Sequence, residues 1–130
     1  MNILLWVLQV LLALAFAAHG WLLLAPPAAM VAQMSAVMPR WFQIFLGIAE
    51  VLAAVGLTLP AITRIQPWLV SAAAAGVMIV MVCATGFHLM RGEVSSAIIT
   101  LVLLAMATFV AYMRFTGTPI QREQFAPHGR

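Results

Sequence analysis

One cysteine, no lysine and no aspartate occur in 130 residues, and the charged side chains amount to six arginines and three glutamates. Each scarcity excludes something. Cys83 stands alone inside an apolar stretch, so an intramolecular disulfide, a Cys-x-x-Cys redox pair and a cysteine-rich metal site are all ruled out. The arginines are set singly at 40, 64, 91, 114, 122 and 130, without the clustering and aromatic interleaving of a nucleic-acid surface, so the net charge of +3 does not point to a nucleic-acid partner. Phosphate-cradling loops, nucleophile elbows and zinc-ligand motifs are missing. A catalytic metal needs three or four convergent ligands, and His19, Glu50 and His88 come from three separate segments with no His-to-His spacing on any of them, so no metal site is expected.

What is present is apolar. Hydrophobic residues make up 65% of the chain and charged residues 7%, against roughly 25% charged in soluble domains. No water-soluble fold of this length covers that much apolar surface, so lipid is the expected solvent and the bilayer the first partner. Four stretches are long enough to cross a hydrocarbon core of about 30 Å: Ile3 to Leu24, Trp41 to Leu59, Trp68 to Met90 and Val94 to Met113. Pro26 and Pro27, Pro39 and Arg40, Pro60 through Pro67, and the Arg91-Gly92-Glu93 turn separate them, and connections this short force antiparallel neighbours. The predicted fold is therefore all-α, a transmembrane antiparallel four-helix bundle over residues 1–115, followed by a disordered cytoplasmic tail over 116–130.

The aromatic anchors agree with four crossings. Trp6, Trp68 and Tyr112 mark one membrane interface, and Trp21 and Trp41 mark the other. Three or five crossings would leave an anchor at the wrong depth. The side holding both ends carries Arg64, Arg114, Arg122 and Arg130, the opposite side only Arg40 and Arg91, so both termini are expected to be cytoplasmic. The first stretch lacks a basic flank and runs on past Ala15-Phe16-Ala17, which favours a retained span over a cleaved signal. Between the first two crossings, methionines at 30, 34 and 38 suit either a short surface helix or an ordered loop on the mouth of the bundle.

Helices in lipid associate through small residues and interhelical hydrogen bonds. Ala49, Ala53 and Gly56, then Ala72 and Gly76, then Ser96, Thr100 and Ala107 are expected to form packing seams; Gln9, Thr108 and Tyr112 are expected to bond between helices.

Glu50 is the anomaly. An ionised carboxyl in mid-span costs roughly 2.5 to 3.5 kcal/mol on insertion scales, so it must be neutral and hydrogen-bonded or face a cation. Gln43, Gly47, Glu50 and Ala54 fall within about 60° of one another on a helical wheel, a polar and small-residue stripe that must face the bundle interior. Thr85 and His88 share a face of the third crossing, and His19 occupies the matching quarter of the first. His88 followed by Arg91 is one candidate source of a cation for Glu50, directly or through water, against a depth difference of about two turns. The candidate ligand-binding residues are thus Glu50, His88, Gln43, Thr85, His19 and Arg91, with no catalytic residue assigned.

Gly47-Ile48-Ala49-Glu50-Val51-Leu52, Gly56-Leu57-Thr58-Leu59-Pro60, Pro67-Trp68-Leu69 and Phe87-His88-Leu89 ahead of Arg91-Gly92-Glu93 resemble the DoxX-like family of small membrane proteins, from the first crossing to about Phe115. The resemblance implies a four-helix bundle in a bacterial plasma membrane, with some relatives linked to thiosulfate and quinone oxidoreduction. Of its marked positions, Glu50 and His88 carry over. Relatives that handle disulfides use paired cysteines, and the lone Cys83 departs from them.

The leading expectation is a membrane subunit of a redox system that offers a hydrophobic pocket to a quinone-like molecule, lined by Gln43, Glu50, Thr85 and His88, with no covalent cofactor and with a membrane or soluble redox partner protein. The alternatives are a small proton-linked permease titrating Glu50 and a non-catalytic assembly subunit. Whether the chain is itself an enzyme is left open by the residues.

Overall fold

The computed structural model describes residues 2–66 and 68–117. Five α-helices follow one another: α1 Asn2–Leu24, α2 Ala28–Val37, α3 Arg40–Thr63, α4 Trp68–Met90 and α5 Val94–Tyr112, the last running into a π-helical turn at Met113–Gly117. Among the described residues four helices, α1, α3, α4 and α5 with its π turn, are long and apolar enough to cross a membrane. They pack in chain order, α1 on α3, α3 on α4 and α4 on α5, and α5 returns to α1.

Each spanning helix turns one stripe inward at helical spacing. On α1 it includes Leu5, Gln9, Leu12, Phe16 and Gly20; on α3, Gln43, Gly47, Glu50, Ala54 and Leu57, which is the stripe expected from the wheel. The other faces carry large apolar side chains outward, with Leu14, Ile79 and Met90 63%, 68% and 90% exposed. In water such a surface would aggregate. In a bilayer it is solvated.

Because lipid accepts Leu as readily as a protein core does, close packing rests on small residues. At the α1–α3 crossing Gly20 and Gly47 face each other. Gly56 packs on α4 so tightly that a Cβ there would lie 2.8 Å from the Ala73 Cβ. Thr100 and Ala107 of α5 point inward as expected. Ala72 points outward and Gly76 borders an open cleft instead of a packed seam, because the inward stripe of α4 runs through Val70, Ala74, Val77, Met81 and Thr85. Small side chains alone do not choose a side when lipid tolerates them equally.

Two boundaries differ from expectation. The second crossing does not stop at Leu59; α3 continues through Pro60 to Thr63. A proline removes one intrahelical donor, and a span tolerates this where neighbours compensate. At this level Gln9 Nε2 of α1 donates to the Leu57 carbonyl oxygen at 2.8 Å. The helix ends instead on Arg64, whose left-handed backbone (φ 56°) breaks the repeat. At the other end, the tail expected from residue 116 begins inside the π turn, where Thr116 Oγ1 donates to Tyr112 O, and its remainder from 118 lies outside the described residues.

Residues 28–37 form the surface helix that the methionine spacing allowed. Met30, Met34 and Met38 are half-buried while most other side chains of the segment are exposed.

Candidate functional site

The α1–α3 crossing creates the site. With no side chain at Gly20 or Gly47, the two backbones approach until a Cβ on either would sit 2.9 Å from the other's carbonyl oxygen. His19 and Glu50, one and three residues from those glycines, are thereby brought together, His19 Nδ1 lying 2.6 Å from Glu50 Oε2. Glu50 is 3% exposed, and the His19 ring is 57% exposed on the outside of the crossing. The buried carboxyl thus draws its partner from α1, not from His88 or Arg91.

Glu50 also forms part of the wall of a cleft of about 360 Å³ between α1, α3 and α4. The rest of the wall is apolar and mostly small: Phe16 from α1, Ala49, Leu52 and Ala53 from α3, and Ala73, Gly76, Val77 and Val80 from α4. Among the described residues none donates a hydrogen bond to Glu50 Oε1.

The remaining sequence candidates have other partners. Gln43 Nε2 donates to Met38 O at 2.9 Å, and its Oε1 receives Arg40 Nη1 at 3.2 Å. Arg40 also donates to the carbonyl oxygens of Leu23 and Leu24, the C-terminal end of α1, where a cation is favoured. Thr85 and Thr100 hydroxyls lie 2.8 Å apart, joining α4 to α5. One turn further out, His88 Nδ1 is 2.6 Å from Glu93 Oε2, and Arg91 Nε donates to Glu93 Oε1 at 3.0 Å while its guanidinium sits over the Phe87 ring. The Glu93 carboxyl is held below its ordinary value first by His88 and then by Arg91. Gln43, Thr85, His88 and Arg91 therefore hold the α1–α3 connection and the α4–α5 turn, and none of them lines the cleft at Glu50.

A second polar cluster was not anticipated. Arg114, 5% exposed, sends Nε to Gln9 Oε1 at 2.6 Å and Nη1 to Asn2 Oδ1 at 2.7 Å, with its guanidinium over the Trp6 ring. In the sequence it counts as one more topology-setting arginine. Its register, four residues past Val110 and seven past Ala107 on the inward stripe of α5, is the signal that places it inside. These bonds also put the start of α1 and the end of α5 at one face. Thr108, expected to bond between helices, donates to Leu104 O of its own helix, and Tyr112 is exposed. Among the described residues no three His, Cys, Asp or Glu side chains are grouped to hold a metal ion.

Four continuous apolar spans with a carboxyl and an imidazole joined at depth define a multi-pass integral membrane protein of the small-bundle class. The chain belongs to the DoxX-like family, whose profile matches residues 7–110, from the second turn of α1 almost to the end of α5. No curated protein and no solved structure matches it.

Proposed function

We propose that this protein is a membrane subunit of a redox system in a bacterial plasma membrane, and that the cleft beside Glu50 takes the ring of a small lipid-soluble molecule of the quinone class. The observation that carries this reading is the Glu50 carboxyl, 3% exposed, set into an otherwise apolar cleft and backed by His19. A volume of about 360 Å³ falls at the lower end of the range for small-molecule sites, walls of alanine, glycine and valine leave room for a flat ring, and the site lies among side chains that face lipid, from which such a ligand would enter.

A bound quinone-type ring supplies redox chemistry in which electrons and protons move together. Glu50 and His19 are suited to the protons, being a carboxyl and an imidazole within hydrogen-bond reach of each other. The electrons are assigned to a partner protein, because a lone Cys83 cannot cycle through an intramolecular disulfide. The arginine excess on the side that holds both termini favours a cytoplasmic location for them. The proton-linked carrier reading is less well supported: carriers bind at discontinuous helices, and α3 runs unbroken through Pro60.

The test is binding of a short-tailed benzoquinone and its quinol to the purified chain in nanodiscs, with partner-dependent turnover followed in native membranes. Glu50→Gln and His19→Gln are expected to weaken binding of the quinone or its quinol about tenfold, the range for one lost hydrogen bond in a buried site. Unchanged binding and turnover in both variants would sink the reading, and proton flux into liposomes that depends on Glu50 would replace it with the carrier.

A further inference from the structure

The contact between α3 and α4 changes character along its length. Asn2 bonded to Arg114, and Gln9 bonded to the Leu57 carbonyl, place the α3–α4 connection at the same face as the start of α1 and the end of α5. Toward that face the two helices touch. A Cβ on Gly56 would lie 2.8 Å from the Ala73 Cβ, and Leu57, Ala61 and Val70 beyond it are buried. One turn along α4 the contact is gone: a Cβ on Gly76 meets nothing within 4 Å, and Gly76 lines the cleft with Ala53 and, a further turn on, with Ala49 and Val80.

Farther from the termini each helix leans on its own hairpin partner. A Cβ on Gly47 of α3 would meet Gly20, Leu23 and Leu24 of α1, whereas Thr85 of α4 sits 2.8 Å from Thr100 of α5. Phe42 and Phe87, each fourteen residues from the Gly56–Ala73 contact, stand at one level and stay 36% and 38% exposed, so the helices do not close on each other again there. The cleft is thus a wedge. Its apex is the Gly56–Ala73 contact, and it widens toward Arg40 and Met90 at the far ends of α3 and α4. Leu52, 64% exposed and part of the wall, opens it sideways to lipid.

A wedge of this shape gives an elongated ligand one way to lie. The polar end belongs beside Glu50, the one polar side chain of the wall, because a ring oxygen elsewhere in the cleft would lose its hydration without replacement. The apex blocks any extension toward the termini. We infer that the cleft is a lateral portal open to the leaflet remote from the termini, and that its ligand is a tailed amphiphile of that leaflet, with its ring at the level of Glu50 and its apolar chain running outward between α3 and α4. This rests on the cleft being the ligand site proposed above, and it adds a direction: the ligand enters and leaves by the remote leaflet.

A tail-end photolabel reads that direction. The probe is a benzoquinone fully substituted so that the Cys83 thiol does not add to the ring, with a decyl chain ending in a diazirine. It is photolysed with the purified full chain in phosphatidylcholine nanodiscs, with and without excess unlabelled decyl-benzoquinone, and the labelled residues are found by mass spectrometry. Ala49 to Trp41 is about 12 Å of helix, a distance that an extended decyl chain bridges. Label removed by the competitor is expected on residues 41–48 of α3 and 81–90 of α4 and absent from 57–63 and 68–73. Gly76→Leu fills the cleft from α4 and is expected to lose the competed label. Competed label on 57–63 and 68–73, or shared equally between the two ends, overturns the direction and leaves the ligand site standing. Absence of competed label, its persistence in Gly76→Leu, or its placement mainly on α1 or α5 overturns the ligand site itself and this inference with it.

Discussion

Gly20 of α1 and Gly47 of α3 touch backbone to backbone, each occupying the space where the other's Cβ would be: a Cβ on either falls 2.9 Å from the partner's carbonyl oxygen. Backbone cannot move aside as a flexible side chain can. Gly20→Ala and Gly47→Ala are each expected to destabilise the bundle by about 1–3 kcal/mol, the range for overpacking, and Gly47→Ala also meets Leu24 Cγ at 2.9 Å. Gly76→Ala is the contrast, since nothing lies within 4 Å of its new Cβ and the helix gains up to ~1 kcal/mol of propensity. Denaturation by SDS in mixed micelles checks all three, and a common response at Gly20 and Gly76 would contradict the crossing.

The same crossing determines what happens when the ion-pairing groups are changed. His19→Ala strips the buried Glu50 of its hydrogen bond and is expected to cost about 1–3 kcal/mol, at the lower end because the imidazole is more than half exposed. Replacing both partners by leucine removes the polar groups together and is expected to return stability close to that of the parent chain. Denaturation by SDS in mixed micelles checks both values, and a double variant as unstable as His19→Ala would contradict this account of the pair.

Arg40 joins three carbonyl-type acceptors, Leu23 O, Leu24 O and Gln43 Oε1, across the α1–α3 connection. Arg40→Ala leaves the last carbonyls of α1 without this donor and is expected to cost about 1–3 kcal/mol. Hydrogen exchange should show the effect locally, as faster exchange over residues 25–43 and little change in α4 and α5. Uniform acceleration across the chain would mean that Arg40 supports the whole bundle.

The α4–α5 turn carries a pH dependence whose sign is determined by Glu93. His88 first and Arg91 second hold its carboxyl below the ordinary 4.5, so the folded value lies under the unfolded one. The contribution to stability is then fully present above 4.5 and is lost as pH falls through the lower folded value. Amide exchange at Glu93 and Ala97, whose N–H groups bond His88 O and Glu93 O, is expected to accelerate in that acidic window and to show no such step in Glu93→Gln. A step centred near neutrality would assign the titration to another group.

Much of the fold was legible because lipid is an undemanding solvent. A backbone that finds no hydrogen-bond partner in hydrocarbon must bond within each span, so four apolar runs of the right length became α1, α3, α4 and α5 with most boundaries in place. The inward stripe of Gln43, Gly47, Glu50 and Ala54 was legible for a related reason, since a carboxyl and an amide have nowhere else to go. Pro60 misled because a proline ends a helix in water far more reliably than in a packed span. Ala72 and Gly76 misled because small size permits close approach without compelling it.

Pairings were the part that composition and periodicity left open. That Glu50 needs a partner followed from its position in the chain. That the partner is His19, that His88 turns to Glu93 instead, and that Arg114 folds inward onto Gln9 depend on the rotation and depth of each helix against its neighbours. Periodicity specifies a face of one helix and says nothing of its height relative to another. The Gly20–Gly47 contact supplies that height for α1 against α3, through a steric limit that exists only when both helices are present.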